Sequence, residues 1–324
     1  MFTIHSKSIQ AGVVGMTLGL VIPACGVGLD TETEDLQTVT AALTDSVSAT
    51  WMGTAGIVLS DGSSRMFVDP FVSRNDLWSV SLGYKLAIDY KRIHNWVDKI
   101  GGRADAVITG HSHYDHAMEA PFFAQYSSAR LIGSTGTAMI AKGIGLPDKQ
   151  ISQVGIGDST SVGAFKVRFY KGEHCKALFG TVPTPGDIAK ILFSPSAASE
   201  YKLSGLFMTL FEHPNGNILH MSSQNYVPGM FKGIRADVVF FTPEGSDNDE
   251  KSLAEIAEST GARRVILIHW DDFFTSLDQP IRPYSGVDVE AIRAAGAKVG
   301  LEVDIVPVGQ PTVVLPGGEP LAGE

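Results

Sequence analysis

His111-Ser112-His113-Tyr114-Asp115-His116 decides the reading of this chain, because it sets three imidazoles and a carboxylate within six residues. Neutral imidazole is the commonest protein ligand for zinc, and carboxylate oxygen regularly joins it. The chain holds only nine histidines, so a cluster this dense points to metal ligation rather than to a solvated polar loop. The flanks agree. Ala104-Asp105-Ala106-Val107-Ile108-Thr109-Gly110 is a short apolar run ending in glycine, as expected of a buried strand entering a turn. Ala117-Met118-Glu119-Ala120-Pro121-Phe122-Phe123 follows, and a proline near the first turn suits a helix start. Ligands on a loop pinned between two rigid elements suit a site that must hold its geometry.

Two downstream segments extend the pattern. Gly172-Glu173-His174 follows the alternating run Phe165–Tyr170, and Arg264-Val265-Ile266-Leu267-Ile268 runs straight into His269-Trp270. With these residues in place the chain resembles the metallo-β-lactamase superfamily of metal-dependent hydrolases, from about Trp51 to Val306. The resemblance implies an α/β fold of four layers, an αββα sandwich. It implies that His111, His113 and His174 form one metal site, and Asp115, His116 and His269 the other. One or two divalent ions are expected, zinc first, with manganese and iron as other candidates. A bound ion would supply hydroxide near neutral pH, acting on an ester, lactone or phosphodiester. Asp115 is also the catalytic candidate for orienting the nucleophile.

Within the superfamily, the chain is similar to the branch of ascorbate-6-phosphate lactonase-like and N-acyl phosphatidylethanolamine phospholipase D-like enzymes. Trp51-Met52-Gly53-Thr54-Ala55-Gly56, the Asp69-Pro70 pair and His269-Trp270-Asp271-Asp272-Phe273 carry that similarity. By it, Asp69 is a carboxylate that orients a ligand histidine by accepting its other N–H; a plain turn residue before Pro70 is the other reading.

One departure stands out. The family supplies a bridging Asp in a Gly-Asp pair after a middle strand. Here the matching strand Gly216–Met221 runs into Ser222-Ser223-Gln224-Asn225, without a carboxylate. Ser223 matches the missing bridge. A neutral hydroxyl cannot offset the repulsion between two close dications, so unequal occupancy of the two sites is expected. The same departure favours a rival reading, an exported metal-binding or scaffold protein of this fold without turnover.

The 324 residues are 44% hydrophobic, enough for a sizeable core. Length permits one or two domains, and the resemblance favours a single one over residues 49–324. A formal net charge of −10 argues against nucleic acid, whose phosphates need Lys and Arg. A small-molecule or lipid-like substrate is expected instead.

Residues 1–25 read as an export signal: one Lys, a mostly apolar stretch from Ile9 to Pro23, then Cys25. Ile22-Pro23-Ala24-Cys25 resembles a lipobox, in which Cys25 is the lipidation site and the mature protein is membrane-anchored, facing the periplasm or exterior. An ordinary cleaved signal and a soluble secreted protein is the alternative. Residues 26–48, acidic and Thr-rich around Asp30–Gln37, read as a flexible tether. Cys175 is the only other cysteine, so no structural disulfide is expected once Cys25 is processed. Beside His174 it is read as a buried inert thiol, because adjacent residues rarely ligate one ion.

Coarse patterning places strands over 49–60, 65–69, 130–133, 165–170, 206–211, 218–221, 236–241, 265–268 and 302–306. Helices fall over 90–100, 135–142, 251–259 and 287–295. His94 is read as a packing residue of the first helix. Between His174 and Leu203 no period is evident, yet Phe179, Pro183, Pro185, Ile191, Leu192, Phe193 and Pro195 make the segment apolar. A flap packed over a site mouth and a plain surface excursion both fit it.

Overall fold

The structure is a computed structural model that describes residues 46–176, 180–243 and 248–317. The export signal, Cys25, nearly all of the tether and Phe179 lie outside the described residues. Those described all belong to one compact unit, Val39–Glu324.

Two seven-stranded sheets form its centre. The first has the order β14-β1-β2-β3-β4-β5-β6, from β1 (Val47–Gly53), β2 (Gly56–Ser60), β3 (Arg65–Val68), β4 (Ala106–Ile108), β5 (Arg130–Gly133), β6 (Ile151–Gln153) and β14 (Pro311–Leu315). The second has the order β13-β12-β11-β10-β9-β8-β7, from β7 (Ser159–Val162), β8 (Phe165–Lys171), β9 (Phe207–His213), β10 (Gly216–Met221), β11 (Val238–Phe241), β12 (Arg264–Leu267) and β13 (Glu302–Asp304).

Period-two alternation decides which side chains meet where. Ile57, Leu59, Met66, Val68 and Ile108 share one core with Phe165, Val167, Phe169 and Phe211 of the second sheet. Their neighbours Val58, Phe67 and Val107 turn the other way, onto Ile93, Trp96 and Phe123. These last belong to two helices, α2 (Tyr90–Lys99) and α4 (Ala120–Ser127). Leu253 and Ile256 of α6 (Asp249–Ser259) and Ile292 of α7 (Val289–Lys298) pack onto the second sheet in the same manner. Helix, sheet, sheet, helix is the four-layer αββα sandwich expected.

The run read as one strand from Ala49 to Ser60 is two. Thr54 has φ 52° and Gly53 φ 91°, so the chain reverses there and β1 pairs antiparallel with β2. The domain also begins earlier than residue 49. Val47 is fully buried and pairs with Leu315, which draws two residues of the supposed tether into β1. Among the described residues no helix is long and apolar enough to cross a membrane.

Candidate metal centre

Every ligand-type residue singled out in the sequence sits just beyond the carboxyl end of a strand. Asp69 follows β3, His111 and His113 follow β4, His174 follows β8, Ser223 follows β10 and His269 follows β12. Strands β3 and β4 run parallel. In the other sheet β10, β11 and β12 are parallel, and β8 shares their direction because both β8 and β10 pair antiparallel with β9. The topology therefore delivers these five loops to one end of the sandwich. Asp115 and His116 lie on α3 (Tyr114–Ala117), a single turn that His113 opens with extended backbone at φ −62° and ψ 157°.

Two triads result. His111, His113 and His174 converge, as do Asp115, His116 and His269, each set with its ligand atoms within 4.8 Å of one another and all six residues buried. His111 Nε2 lies 3.1 Å from His113 Nδ1. Two nitrogens on a tetrahedral ion, each about 2.0–2.1 Å from it, sit about 3.3 Å apart, so this spacing fits a shared ion. Asp115 Oδ2 lies 3.1 Å from His269 Nε2 and 3.5 Å from His116 Nε2.

The outer nitrogens explain which lone pairs face inward. His116 Nδ1 is 2.9 Å from Asp69 Oδ2 and donates to it, which turns Nε2 towards the triad. His174 Nδ1 donates to the Cys175 carbonyl at 2.8 Å, which leaves Nε2 as its ligating nitrogen. Such outer contacts fix the tautomer and orient the ring. Electrostatics agree. Burial, with His116 next, holds His111 well below the usual imidazole range. Burial, with His174 next, lowers His113 to about 3. Both rings are therefore neutral at physiological pH, the form that ligates. Burial pushes the Asp115 carboxyl up, but His116 and His269 outweigh it and keep the group an anion. Neutral imidazoles, one carboxylate and mutual convergence suit divalent transition-metal ions.

Asp69 meets the His116 ring as an orienting carboxylate would. It is fully buried, takes the Gly110 N–H at 2.6 Å on Oδ1, and holds φ 45°. Gly110 is required by close approach: a Cβ there would fall 1.6 Å from Ser222 Oγ. Ser223 does line the cavity over the triads, and its hydroxyl accepts the Cys175 N–H at 3.2 Å. Cys175 itself is buried. His94 stacks on Tyr126 with centroids 3.8 Å apart, as a packing residue would.

Sequence reading missed a second tier of residues. Arg74 and Asp271 form an ion pair of 2.7 Å with side chains 2% and 1% exposed. Asp271 also takes the Thr54 N–H at 3.0 Å, and the Thr54 carbonyl takes the His269 N–H at 2.7 Å. That chain of contacts anchors His269, whose φ of 53° lies in the left-handed region. Gly53 gives the Arg74 guanidinium room, since a Cβ there would meet Nη2 at 2.0 Å. His220 is fully buried behind the site, 2.9 Å from the Ala55 carbonyl. No local signal marks Arg74; Asp271 stood only inside a resembling segment.

No protein-family model matches the chain. A UPF0173 protein of Pyrococcus furiosus is 23% identical over 226 residues, 69% of this chain and 83% of that protein. A UPF0173 metal-dependent hydrolase of Pyrobaculum islandicum is 26% identical over 113 residues, 35% of this chain and 44% of that protein. The metallo-β-lactamase fold protein YhfI of Bacillus subtilis is 18% identical, with a TM-score of 0.52 over 83% of this chain and 99% of that one. Two mixed sheets flanked by helices, with the candidate ligands at one end, give this chain the metallo-β-lactamase fold.

Proposed function

We propose that this chain is a metal-dependent hydrolase of the metallo-β-lactamase superfamily, acting on an ester, lactone or phosphodiester. The observation that carries the reading is the pair of buried triads at the floor of one cavity, which His113, Asp115, His116, His174 and His269 all line. His111, His113 and His174 would hold one ion, and Asp115, His116 and His269 the other. A divalent ion bound there lowers the pKa of a water and polarises the oxygen under attack. Asp69 holds His116 in the ligating tautomer. Asp115, an anion at the cavity floor, orients the nucleophile. The UPF0173 relative named a metal-dependent hydrolase supports the reaction class. The lactonase and phospholipase D-like branch rests on the sequence resemblance of Trp51–Gly56, Asp69-Pro70 and His269–Phe273 alone.

Metal analysis of purified protein, followed by a chromogenic phosphodiester and lactone screen, tests the reading. Zinc, manganese or iron should be present, and His113→Ala should remove most of it together with activity. Unchanged metal in that variant would overturn the ligand assignment. A neutral Ser223 where the family places a bridging carboxylate favours the rival reading, a metal-binding scaffold without turnover. Full metallation with no turnover in the screen would support it.

From the sequence of residues 1–25 alone, we also propose that the protein is exported, either lipid-anchored at Cys25 or soluble. If Cys25 is lipidated, the protein partitions with membranes and Cys25→Ser releases it. Lipid chains add about 0.8 kcal/mol per buried methylene, and stable anchoring needs more than one chain.

A further inference from the structure

The cavity above the triads has a volume of about 280 Å³. Its walls divide sharply by chemistry. The floor carries the ligand residues, and the sides are mostly apolar, with Leu77, Val80, Pro183, Ala198, Phe273, Phe274 and Tyr284, interrupted only by uncharged hydroxyl side chains such as Ser81, Thr184 and Ser199. The three aromatic rings form one cluster. Phe273 and Phe274 have centroids 4.5 Å apart, Phe273 and Tyr284 5.4 Å, and Phe273 meets the His269 ring edge-on at 4.9 Å. Leu77 and Val80 come from α1 (Leu77–Ser81), a helix without a buried residue, and Leu77 is 50% exposed at the lip. Among the described residues no Lys or Arg lines the cavity, and Asp115 is its only carboxylate.

This division separates the demands of the reacting group from those of the rest of the substrate. The reacting group meets the floor. Whatever extends from it meets hydrocarbon and aromatic rings, where apolar surface is stabilised by leaving water. A phosphate or other anion there would lose hydration without a cation or a set of N–H donors to replace it. From the aromatic and aliphatic walls, and resting on the hydrolase reading above, we infer that the part of the substrate extending from the reacting group is an uncharged hydrocarbon or aryl group. Apolar-tailed esters and lactones fit this site. Sugar phosphates and substrates with a charged head beyond the scissile bond do not.

The test is a binding series on the zinc-loaded full chain, followed by calorimetry. Acetohydroxamate reports the floor alone. Butano-, hexano- and octanohydroxamate add tail, and a hexanohydroxamate ending in phosphate adds charge. Affinity should rise about fourfold per methylene until the chain reaches the lip, and the terminal phosphate should cancel most of that gain. Leu77→Lys, at a half-exposed position, should flatten the alkyl series and tighten the phosphate-terminated ligand. If acetohydroxamate binds but affinity is indifferent to tail length, or the phosphate tail binds tighter than hexanohydroxamate, the substrate inference falls and the metal centre stands. Absence of both zinc and acetohydroxamate binding overturns both readings.

Discussion

Asp271→Asn should be among the most costly single substitutions in this protein, although residue 271 is not a ligand. Asparagine keeps the shape and retains an acceptor for the Thr54 N–H, so the change is confined to the charge facing Arg74. Among the described residues that guanidinium has no other hydrogen-bonded carboxylate, although the buried Glu119 carboxyl lies within electrostatic reach. Its Nε is buried without a partner, and Nη1 reaches only the Asp272 carbonyl at 3.5 Å. Removing one member of a buried pair leaves an uncompensated charge and costs about 3–5 kcal/mol. Pairing the change with Arg74→Met removes that charge too, so the double variant should be more stable than Asp271→Asn alone. Urea unfolding of the metal-free wild type, both single variants and the double variant measures the coupling. Metal titration gives a second reading. The Thr54 carbonyl anchors His269, so affinity should fall at the triad of Asp115, His116 and His269 and hold at the other. A loss under about 1 kcal/mol for Asp271→Asn, or strict additivity in the cycle, would refute the reasoning.

Asp69→Asn should weaken metal binding by roughly tenfold to a hundredfold, the usual cost of losing an orienting partner; unchanged affinity would show that His116 needs no help with its tautomer. Ser223→Asp should raise occupancy of the weaker site in calorimetric titration, and two equally tight sites in the wild type would show that another group already bridges. The metal-free protein should be labile to acid. His113 is held at about 3 in the fold against 6.5 in the free residue, so between those values the unfolded chain binds the extra proton. Stability is therefore full above about 6.5 and falls as pH drops towards 3. A urea midpoint that does not move between pH 7.5 and 4.5 would contradict this.

The ligands were legible because each announces itself locally. Three histidines and an aspartate crowd one loop, and His174 and His269 each end a run of strand-forming residues. The departure at Ser222-Ser223 was legible for the same reason. What stayed hidden depends on long-range contact. Arg74 and Asp271 are 197 residues apart, and Thr54 and Asp271 217; each looks like an ordinary polar residue until the sheets meet. Strand β14 went unread because only Val314 and Leu315 of its five residues are buried, which leaves no clean alternation. Helix α1 buries no residue, so its sequence carries no helical stripe. The apolar segment after His174 proved to be both things at once. Pro183, Thr184 and Ala198 line the cavity, while Phe193 is 74% exposed. Composition cannot separate those two roles.

Each triad draws two ligands from the loop after β4 in one sheet and a third from a strand end in the other. An ion in either place is thus a clasp between the halves of the sandwich. Its binding energy adds to the stability of their contact in proportion to the logarithm of free metal over Kd. It also sets an order of maturation. The first triad is complete once β8 has docked, while the second must wait for His269, the last ligand to emerge during synthesis. A chain truncated before β12 would keep all three histidines of the first triad but only Asp115 and His116 of the second, so the second triad is complete only in the finished chain.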